Sequence, residues 1–465
     1  MHPKNLSIIK NLDSLLSNAE TDEDRSAREL ALKALEVALE AADPKEIIYS
    51  KVFIEGSTLK ISDLSLDLSR FDNIYVLGGG KASGAMAEAL EERLGDRIRG
   101  GIINIPKGTR EFYHTERIVL NEASHPVPDE KGVEGTKRML EIAEKAGERD
   151  LVLCLISGGG SSLMPQPRGE VTLEDKRRIT DALLKSGATI NEINTVRKHI
   201  SNFKGGWLAK RAYPATVVGL LLSDVVGDPL DVIASGPTVP DTTTFKDAIT
   251  VLKKYNLWKD GPPSIKKLLE DGAKGVLEET PKKSDIAFRK VYNIVIGSNR
   301  GSCLSAKEFL ESKGLKTVFL TSYMEGEARE VGTLFGAILR EVSASGNPAA
   351  RPCAIIAGGE TTVTVVGDGK GGRNQELALA SAFKIRGLNG VVLASINTDG
   401  VDGPTDAAGA VVDGKTLDRA DSLGLNPTQY LLNNDSYTFF SKLNDLIMTG
   451  PTGTNVTDIT VMVAL

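Results

Sequence analysis

The stretch that decides the fold is YVLGGGKASG at residues 75–84, where a short apolar run passes through three glycines and a lysine into a helical pattern. Met86, Leu90 and Leu94 share one face of that helix. A strand, a glycine turn and a helix in this order are typical of a parallel α/β sheet. Glycines let a ligand approach the backbone, and N–H groups at a helix start attract anions. The stretch therefore predicts an α/β fold with a candidate phosphate-binding turn.

Two known phosphate motifs do not fit this turn. A Walker A loop requires glycine where Tyr75 stands and serine or threonine where Ala82 stands. The dinucleotide fingerprint requires a third glycine where Ser83 stands. The residue types leave two alternatives open, a phosphate held by Lys81 or a plain tight turn with a solvated lysine.

Four more apolar runs end in a polar or glycine-rich turn: residues 151–156, 217–222, 293–296 and 354–357. Strands that are apolar throughout and alternate with helices indicate parallel sheets covered on both faces. Residues 11–42 carry a helical pattern before them. The sequence therefore predicts two α/β domains with mainly parallel sheets flanked by helices.

The predicted domain boundary lies in residues 261–285, a stretch with three prolines and several lysines. We expect a larger, Rossmann-like α/β domain over residues 1–285 and a smaller α/β domain over residues 286–465. Residues 458–465 predict a buried strand, and the sequence leaves open which of the two sheets it joins.

The turn from Ser157 to Ser162 offers glycines and hydroxyls without a charge. Such a nest could hold a phosphate or a carboxylate, and a structural loop is the alternative. A serine-hydrolase elbow does not fit, because Leu163 stands where that motif requires glycine. Asp224 follows another predicted strand, where a carboxylate could meet Mg²⁺, accept a proton, or simply cap a turn.

Three further positions have open interpretations. Arg197 stands in a basic cluster that is typical of a solvated helix face, although it could also capture an anionic substrate. Arg373 follows a glycine-rich turn at a helix start, where a cation is unfavourable unless an anion binds both. Asp399 lies in an Asp/Gly-rich stretch that could hold Mg²⁺ or form a turn. His125, in a rigid turn, is more typical of packing or capping than of catalysis.

Composition excludes several classes of protein. The net charge of −6 and the aromatic content of 5% disfavour nucleic-acid binding. No stretch approaches the ~18–20 apolar residues of a membrane span, and the first 41 residues lack the apolar core of a signal peptide. Three scattered cysteines and four histidines predict reduced thiols and no zinc site. We therefore expect a cytoplasmic protein without nucleic-acid or membrane partners.

An ordered set of motifs resembles the glycerate 2-kinase family, whose members carry a C-terminal MOFRL domain. The motifs are GGGKASGAMA from residue 78, SHPVPD from 124, LISGGGSSLMPQP from 155, LLLSDVVGDPLDVIASGPTVPD from 220, GDGKGGRNQELALA from 367 and NTDGVDGPTDAAGA from 397. The resemblance implies phosphorylation of D-glycerate to 2-phosphoglycerate, with ATP and Mg²⁺, in a cleft between two α/β domains.

The resemblance also implies roles for particular residues. Catalysis would rest on Lys81, Asp224 and Arg373. For the divalent metal that the resemblance implies, the residue types make Asp224 and Asp399 the candidate ligands. Nucleotide or phosphate contacts are expected from Gly78, Gly79, Gly80, Gly297, Ser298, Asn299, Gly371 and Gly372. Substrate contacts are expected from Ser157, Gly158, Gly159, Gly160, Ser161, Ser162 and Arg197.

Two other functions stay open at this point. One is an oxidoreductase acting on hydroxypyruvate, which the broken dinucleotide fingerprint at Ser83 disfavours. The other is a regulator that binds a sugar acid or sugar phosphate without catalysis. One chain shows no interface, so a homodimer is an open alternative to a monomer.

Overall fold

The structure is a computed structural model that describes residues 7–465. Its helices are α1 (Leu12–Ser17), α2 (Asp22–Ala41), α3 (Pro44–Lys51), α4 (Ser83–Leu94), α5 (Glu130–Lys145), α6 (Gly160–Leu163), α7 (Leu173–Lys185), α8 (Ile190–His199), α9 (Trp207–Ala212), α10 (Phe245–Lys254), α11 (Pro263–Ala273), α12 (Asn299–Ser312), α13 (Ala328–Ser345), α14 (Arg373–Ile385), α15 (Thr416–Ser422), α16 (Pro427–Leu432) and α17 (Ser436–Leu443). Its strands are β1 (Val52–Glu55), β2 (Thr58–Ile61), β3 (Leu64–Asp67), β4 (Asn73–Gly79), β5 (Ile98–Pro106), β6 (Ile118–Ala123), β7 (Asp150–Ile156), β8 (Thr216–Leu222), β9 (Val291–Gly297), β10 (Lys316–Met324), β11 (Cys353–Gly359), β12 (Val391–Asn397), β13 (Gly409–Asp413), β14 (Leu446–Ile447) and β15 (Asp458–Ala464).

The chain forms two compact units. We call Pro44–Ile296 the central domain, and we call Gly297–Leu465 together with the described residues up to Asp43 the terminal domain. Each unit builds a six-stranded sheet with helices packed against it, so the predicted class of two α/β domains is confirmed.

The sheet of the central domain has the strand order β6-β5-β4-β7-β8-β9, and the pairs from β6 to β8 are all parallel. Strand β7 is buried at every position, as a strand covered on both faces must be. A small antiparallel sheet of β1, β2 and β3 belongs to the same domain. The strands predicted at residues 151–156 and 217–222 are confirmed as β7 and β8.

The order of the strands reverses at β4. Strands β5 and β6 lie on one side of β4, whereas β7 and β8 lie on the other. In open α/β sheets, ligands bind outside the carboxyl ends of the strands at such a reversal. The turn with Lys81 follows β4 and the turn with Ser157 follows β7, so the fold brings both predicted ligand turns to this point.

The proline- and lysine-rich stretch is part of the central domain rather than a linker. Helix α11 lies within it, and Ile265, Leu268 and Leu269 of that helix are buried in a hydrophobic cluster with α7, α8 and α10. Strand β9 then takes its place beside β8. The division between the two units therefore falls at Ile296/Gly297, beyond the boundary placed at residue 285.

The sheet of the terminal domain is mixed, with the order β10-β11-β15-β12-β13-β14. Only β10 and β11 pair in parallel, and the other pairs of this sheet are antiparallel. A mainly parallel sheet is therefore found in the central domain but not in the terminal domain. The loop between β12 and β13 is too short for a helical crossover, which makes that pair antiparallel. The strand predicted at residues 458–465 is β15, and it lies between β11 and β12.

The segment before Asp43 packs on the terminal sheet, which explains its grouping with the C-terminal half. The helix predicted at residues 11–42 is divided into α1 and α2, because Thr21 caps α2 by accepting a hydrogen bond from the N–H of Asp24. Arg28 of α2 donates to Asp413 at 2.7 Å and to Asp445 at 2.8 Å, and all three side chains are fully buried.

None of the helices within residues 7–465 combines the length and the apolar character that a bilayer-crossing helix requires.

Candidate active site

The turns after β4 and β7 are joined by hydrogen bonds. The N–H of Lys81 donates to the carbonyl of Gly158 at 2.8 Å, and the N–H of Ala82 donates to Oγ of Ser157 at 3.0 Å. The Ser83 hydroxyl lies 3.1 Å from the same Oγ. The first turn of α4 is thereby fixed against the second turn, and the two form one rigid surface at the strand reversal.

Asp224 lies directly against the second turn. It follows β8, the neighbour of β7, and a methyl group added at Gly158 would lie 2.1 Å from its Oδ2. Only a residue without a side chain allows this approach. The carboxylate and the backbone of Gly158 are therefore in direct contact, as expected for a carboxylate at the carboxyl end of a strand.

Lys81 and His125 lie against the next residue, Gly159. A Cβ there would be 2.8 Å from the His125 ring and 3.3 Å from Cγ of Lys81, and the φ of +78° also requires glycine. Burial, together with the charge of Lys81, lowers the pKa of His125 below its usual value. The imidazole is therefore neutral near pH 7 and could accept a proton.

His125 is a candidate that the sequence reasoning assigned to packing. It stands two residues beyond the end of β6, at the same sheet edge as the two glycine turns. The SHPVPD motif and the predicted sheet edge were the signal that could have found it. In the central domain, the structure thus brings together Lys81, His125, Asp224 and the Ser157–Ser162 turn.

The basic cluster around Arg197 is not a solvated helix face, and that interpretation is wrong. Lys198 is 3% exposed, His199 is fully buried and Lys204 is 1% exposed, while Arg197 is partly exposed. Lys198 is paired with Asp231 and Asp241, at 3.1 and 3.4 Å. Gly205, after α8, lies against Lys198, where an added Cβ would be 3.1 Å from the Lys198 Cβ, and the charge pattern alone could not reveal this contact.

Arg373 begins α14 in the terminal domain and has two carboxylate partners. It makes a bidentate pair with Asp458, at 2.6 and 2.9 Å, and donates to Glu360 at 2.8 Å. Burial raises the pKa of Asp458 to about 7, and the Arg373 guanidinium opposes this shift. The expected anion beside Arg373 is thus supplied, in this structure, by the chain itself.

The first N–H groups of α14 are also bound by a carboxylate of the chain. Asp402 accepts hydrogen bonds from the N–H groups of Asn374 and Gln375, at 3.1 and 2.9 Å. Gly372 is needed for this approach, since a Cβ there would lie 2.2 Å from the Asp402 carboxyl carbon. The predicted phosphate role of Gly371 and Gly372 would therefore have to use groups other than these two amides.

The turn of Gly297, Ser298 and Asn299 has a structural use in the terminal domain. Ser298 caps α12, and the Asn299 amide donates to the carbonyls of Val456 and Asp458 at 2.9 and 2.8 Å. These bonds hold the start of β15. The turn lies at a domain division and follows β9, and its contact with a nucleotide stays a prediction.

The two predicted metal ligands lie in different domains, Asp224 in the central and Asp399 in the terminal domain. Asp399 accepts a hydrogen bond from the N–H of Val401 at 2.9 Å, as in an ordinary turn. Residues 7–465 contain no group of three His, Cys, Asp or Glu side chains arranged to hold a metal. Mg²⁺ is commonly bound by one or two carboxylates, waters and substrate phosphates, so Asp224 fits that mode.

The fold and the site define a class, a two-domain α/β protein with glycine turns at a strand reversal. Two family models match the chain: a domain of unknown function, DUF4147, over residues 30–270, and the MOFRL family over residues 353–458. The D-glycerate 2-kinase of Thermotoga maritima is 43% identical over 93% of this chain and 97% of its own length. The chain belongs to the glycerate kinase family.

Two further comparisons bear on that assignment. A solved structure of glycerate kinase from Thermotoga maritima superposes with a TM-score of 0.85, at 43% identity, covering 95% of this chain and 100% of that one. A protein of Agrobacterium vitis that is provisionally named a hydroxypyruvate reductase is 40% identical over 94% of both chains. The resemblance seen in the sequence motifs is confirmed.

Proposed function

We propose that this protein transfers the terminal phosphoryl group of ATP to the 2-hydroxyl of D-glycerate, with Mg²⁺, and releases 2-phosphoglycerate. The observation that carries the proposal is the convergence of Lys81, His125 and Asp224 on Gly158 and Gly159, at the strand reversal of a chain that belongs to the glycerate kinase family. Phosphoryl transfer needs positioned charges and a held nucleophile, and this group offers both.

Lys81 is the candidate for charge neutralisation at the transferred group. Its side chain is exposed beside Gly159, and its stem contacts the turn without being enclosed. An ammonium placed at a helix start next to glycine amides adds a point charge to an anion site. Lys81 would thus stabilise the charge that develops on the phosphoryl oxygens.

Asp224 and His125 are the candidates for acting on the hydroxyl group of the substrate. A carboxylate against Gly158 and a neutral imidazole against Gly159 are both positioned to orient a hydroxyl or accept its proton. Mg²⁺ held by Asp224, with Asp399 as the candidate in the other domain, would neutralise charge on the nucleotide phosphates. The Ser157–Ser162 turn and Arg197 would contact the acid.

Arg373 would add a second cation from the terminal domain. The glycine turns of both domains would contact the nucleotide. We also propose a cytoplasmic location, consistent with the composition, and leave a homodimer as an alternative to a monomer.

The test is a coupled assay of ADP release on addition of D-glycerate. Wild-type protein should release ADP only when glycerate, ATP and Mg²⁺ are all present. Lys81→Ala should lower kcat by about 10²–10³, the loss typical of a preorganised charge partner. Lys185→Ala is the matched control, because Lys185 is 76% exposed in a surface pair with Asp181. Near-wild-type turnover in Lys81→Ala would remove that residue from the mechanism.

Arg373→Ala should lower kcat to a similar extent, but its interpretation needs a melting temperature beside the rate. The substitution also leaves the fully buried Asp458 without its bidentate partner. A loss of activity at unchanged melting temperature would support a role in transfer, whereas a matching loss of both would indicate a structural ion pair.

A reductase acting on hydroxypyruvate is the second candidate, favoured by the provisional name of the Agrobacterium relative. Ser83 argues against it, because it fills the third glycine's place in the dinucleotide motif and its hydroxyl is tied to Leu155 and Ser157. Oxidation of NADH on addition of hydroxypyruvate, at a rate above that of ADP release with glycerate, would decide for the reductase.

A further inference from the structure

Three cations lie beside the Ser157–Ser162 turn in the central domain. Lys176 comes from α7, Arg197 from α8 and Lys204 from the chain after α8. Lys176 is 5% exposed and Lys204 is 1% exposed, while Arg197 is partly exposed. We call these three residues the buried cation cluster.

Both ammonium groups are directed at one short segment of backbone. Lys204 Nζ donates to the carbonyls of Ser161 and Met164, at 2.7 and 3.1 Å. Lys176 Nζ lies 3.5 Å from the carbonyl of Gln166. These carbonyls accept hydrogen bonds without neutralising a charge. The cluster is therefore anchored to the turn that follows β7.

Among residues 7–465, the cluster has no anionic partner. Burial lowers the pKa of each member, and the only charged neighbours that act on Lys176 and Lys204 within residues 7–465 are other members of the cluster. Two other buried cations are paired with carboxylates, Lys198 with Asp241 and Arg28 with Asp413. An ammonium buried without a counter-charge is costly, so burial favours the neutral lysines in the unliganded protein, and an anion supplied from outside would stabilise their protonated form.

A buried hydrogen-bond donor lies near the same turn. Asn194 lies one turn before Arg197 on α8 and is 3% exposed. Its Oδ1 accepts from the Ser235 hydroxyl at 2.9 Å, and that hydroxyl lies 3.0 Å from Oγ of Ser161. Its Nδ2 has no partner within the described chain. An unsatisfied buried donor also calls for an acceptor from outside.

We propose that Lys176, Arg197, Lys204 and Asn194 bind the carboxylate of the acid substrate. The inference rests on the proposed function and specifies how its substrate is recognised. Ser161 is three residues beyond Gly158, against which Asp224 lies. A carboxylate held at Ser161 would direct the adjacent hydroxyl of a 2-hydroxy acid towards Asp224. Ser161, Ser162 and Arg197 are partly exposed, which leaves the ligand a route of entry.

The proposed carboxylate site predicts a preference for acid substrates over neutral ones. A neutral polyol such as glycerol offers the same hydroxyls without the charge, so the cluster would stay uncompensated and binding would be weak. A 2-hydroxy carboxylate satisfies both the cations and the free Asn194 donor. The cluster thus selects for the acid, while Lys81, His125 and Asp224 act on the alcohol.

The experiment measures KM for D-glycerate and for ATP, kcat and melting temperature in Lys204→Met, Lys176→Met and Arg197→Gln. Lys185→Met is the control, an exposed lysine on the same helix as Lys176. Each cluster variant should raise KM for glycerate by about tenfold or more, as loss of a charge-assisted hydrogen bond predicts, with KM for ATP unchanged. The melting temperature of unliganded Lys176→Met should stay equal or rise, because an ammonium that burial penalises is removed, whereas Lys204→Met also loses two hydrogen bonds to backbone carbonyls and should melt earlier.

Other outcomes would overturn the inference. A rise in KM for ATP instead of glycerate would assign the cluster to a nucleotide phosphate. Unchanged KM values in active variants, or variants that all melt earlier, would show that the lysines only support the turn. Wild-type protein that releases no ADP with glycerate would refute the proposed function and this inference together, whereas active wild type with unaffected cluster variants would refute the inference alone.

Discussion

Lys81 and Arg373 differ in their surroundings more than their shared proposed role suggests. Lys81 is exposed beside Gly159, whereas Arg373 is held by Asp458 and Glu360. A cation with two carboxylate partners presents less net charge to a phosphoryl group than one without them. Substitution of Lys81 therefore tests the proposed chemistry more directly than substitution of Arg373. The glycines beside Lys81 fix the geometry of the turn.

Gly158→Ala tests the contact between the second turn and Asp224. The new methyl group would overlap Oδ2 of Asp224 at 2.1 Å, so the carboxylate must move. We expect kcat to fall by about 10²-fold, since small displacements of a positioned group cost that much. Gly147→Ala is the matched control, because its methyl group would lie 3.7 Å from a carboxylate oxygen of Asp150. Equal rates in the two variants would show that the position of Asp224 is unimportant.

The ionisation of Lys176 predicts a pH dependence of stability. Burial and, to a smaller extent, the charge of Arg197 lower the pKa of Lys176 from 10.5 to about 7. Burial also lowers the pKa of Lys204, the third member of the cluster. Between those two pH values the unfolded chain binds more protons than the folded one. The free energy of unfolding of the unliganded protein should therefore rise with pH across that window.

Denaturant unfolding of wild type and Lys176→Met, at several pH values from about 6 to 10, checks this expectation. The wild type should gain stability relative to the variant as pH rises above 7. Parallel stability curves for the two proteins would mean that Lys176 does not titrate in this range.

The strands of the central domain could be predicted from sequence because each is a short apolar run that ends in a turn. The run at residues 151–156 is β7 within one residue of its start. The mixed sheet of the terminal domain was not predicted, because an apolar run does not reveal its direction. The place of β15 between β11 and β12 depends on pairing of distant segments.

Part of the candidate site could also be predicted from the sequence, because its residues follow the predicted strands. Turns at the carboxyl ends of parallel strands lie together, so Lys81, Ser157 and Asp224 were found as candidates. The partners of Arg373, at Glu360 and Asp458, come from other elements, and a charge pattern along the chain does not reveal them.

Helix α2 is expected to stabilise the terminal domain through Arg28. Arg28→Met would leave Asp413 and Asp445 buried, with Arg419 as their remaining cationic partner among residues 7–465. The loss should be about 3–5 kcal/mol, as for breaking a buried ion pair. Urea unfolding measures it, with Arg25→Met on the exposed side of the same helix as control. A loss no larger than that of the control would mean that the pairs contribute little.

At the scale of the whole molecule, the residues proposed for the reaction belong to two domains. The central domain holds Lys81, His125 and Asp224 with the buried cation cluster, and the terminal domain holds Arg373 with the glycine turn before α14. Loss of turnover at unchanged melting temperature in both Lys81→Ala and Arg373→Ala would show that residues of both domains serve the proposed reaction.

The most direct test of the central claim is ³¹P NMR of a reaction that contains the protein, ATP, Mg²⁺ and D-glycerate. We expect loss of the γ-phosphate signal of ATP and the appearance of ADP and 2-phosphoglycerate in equal amounts. An unchanged ATP spectrum, with the same protein consuming NADH when hydroxypyruvate is supplied, would contradict it.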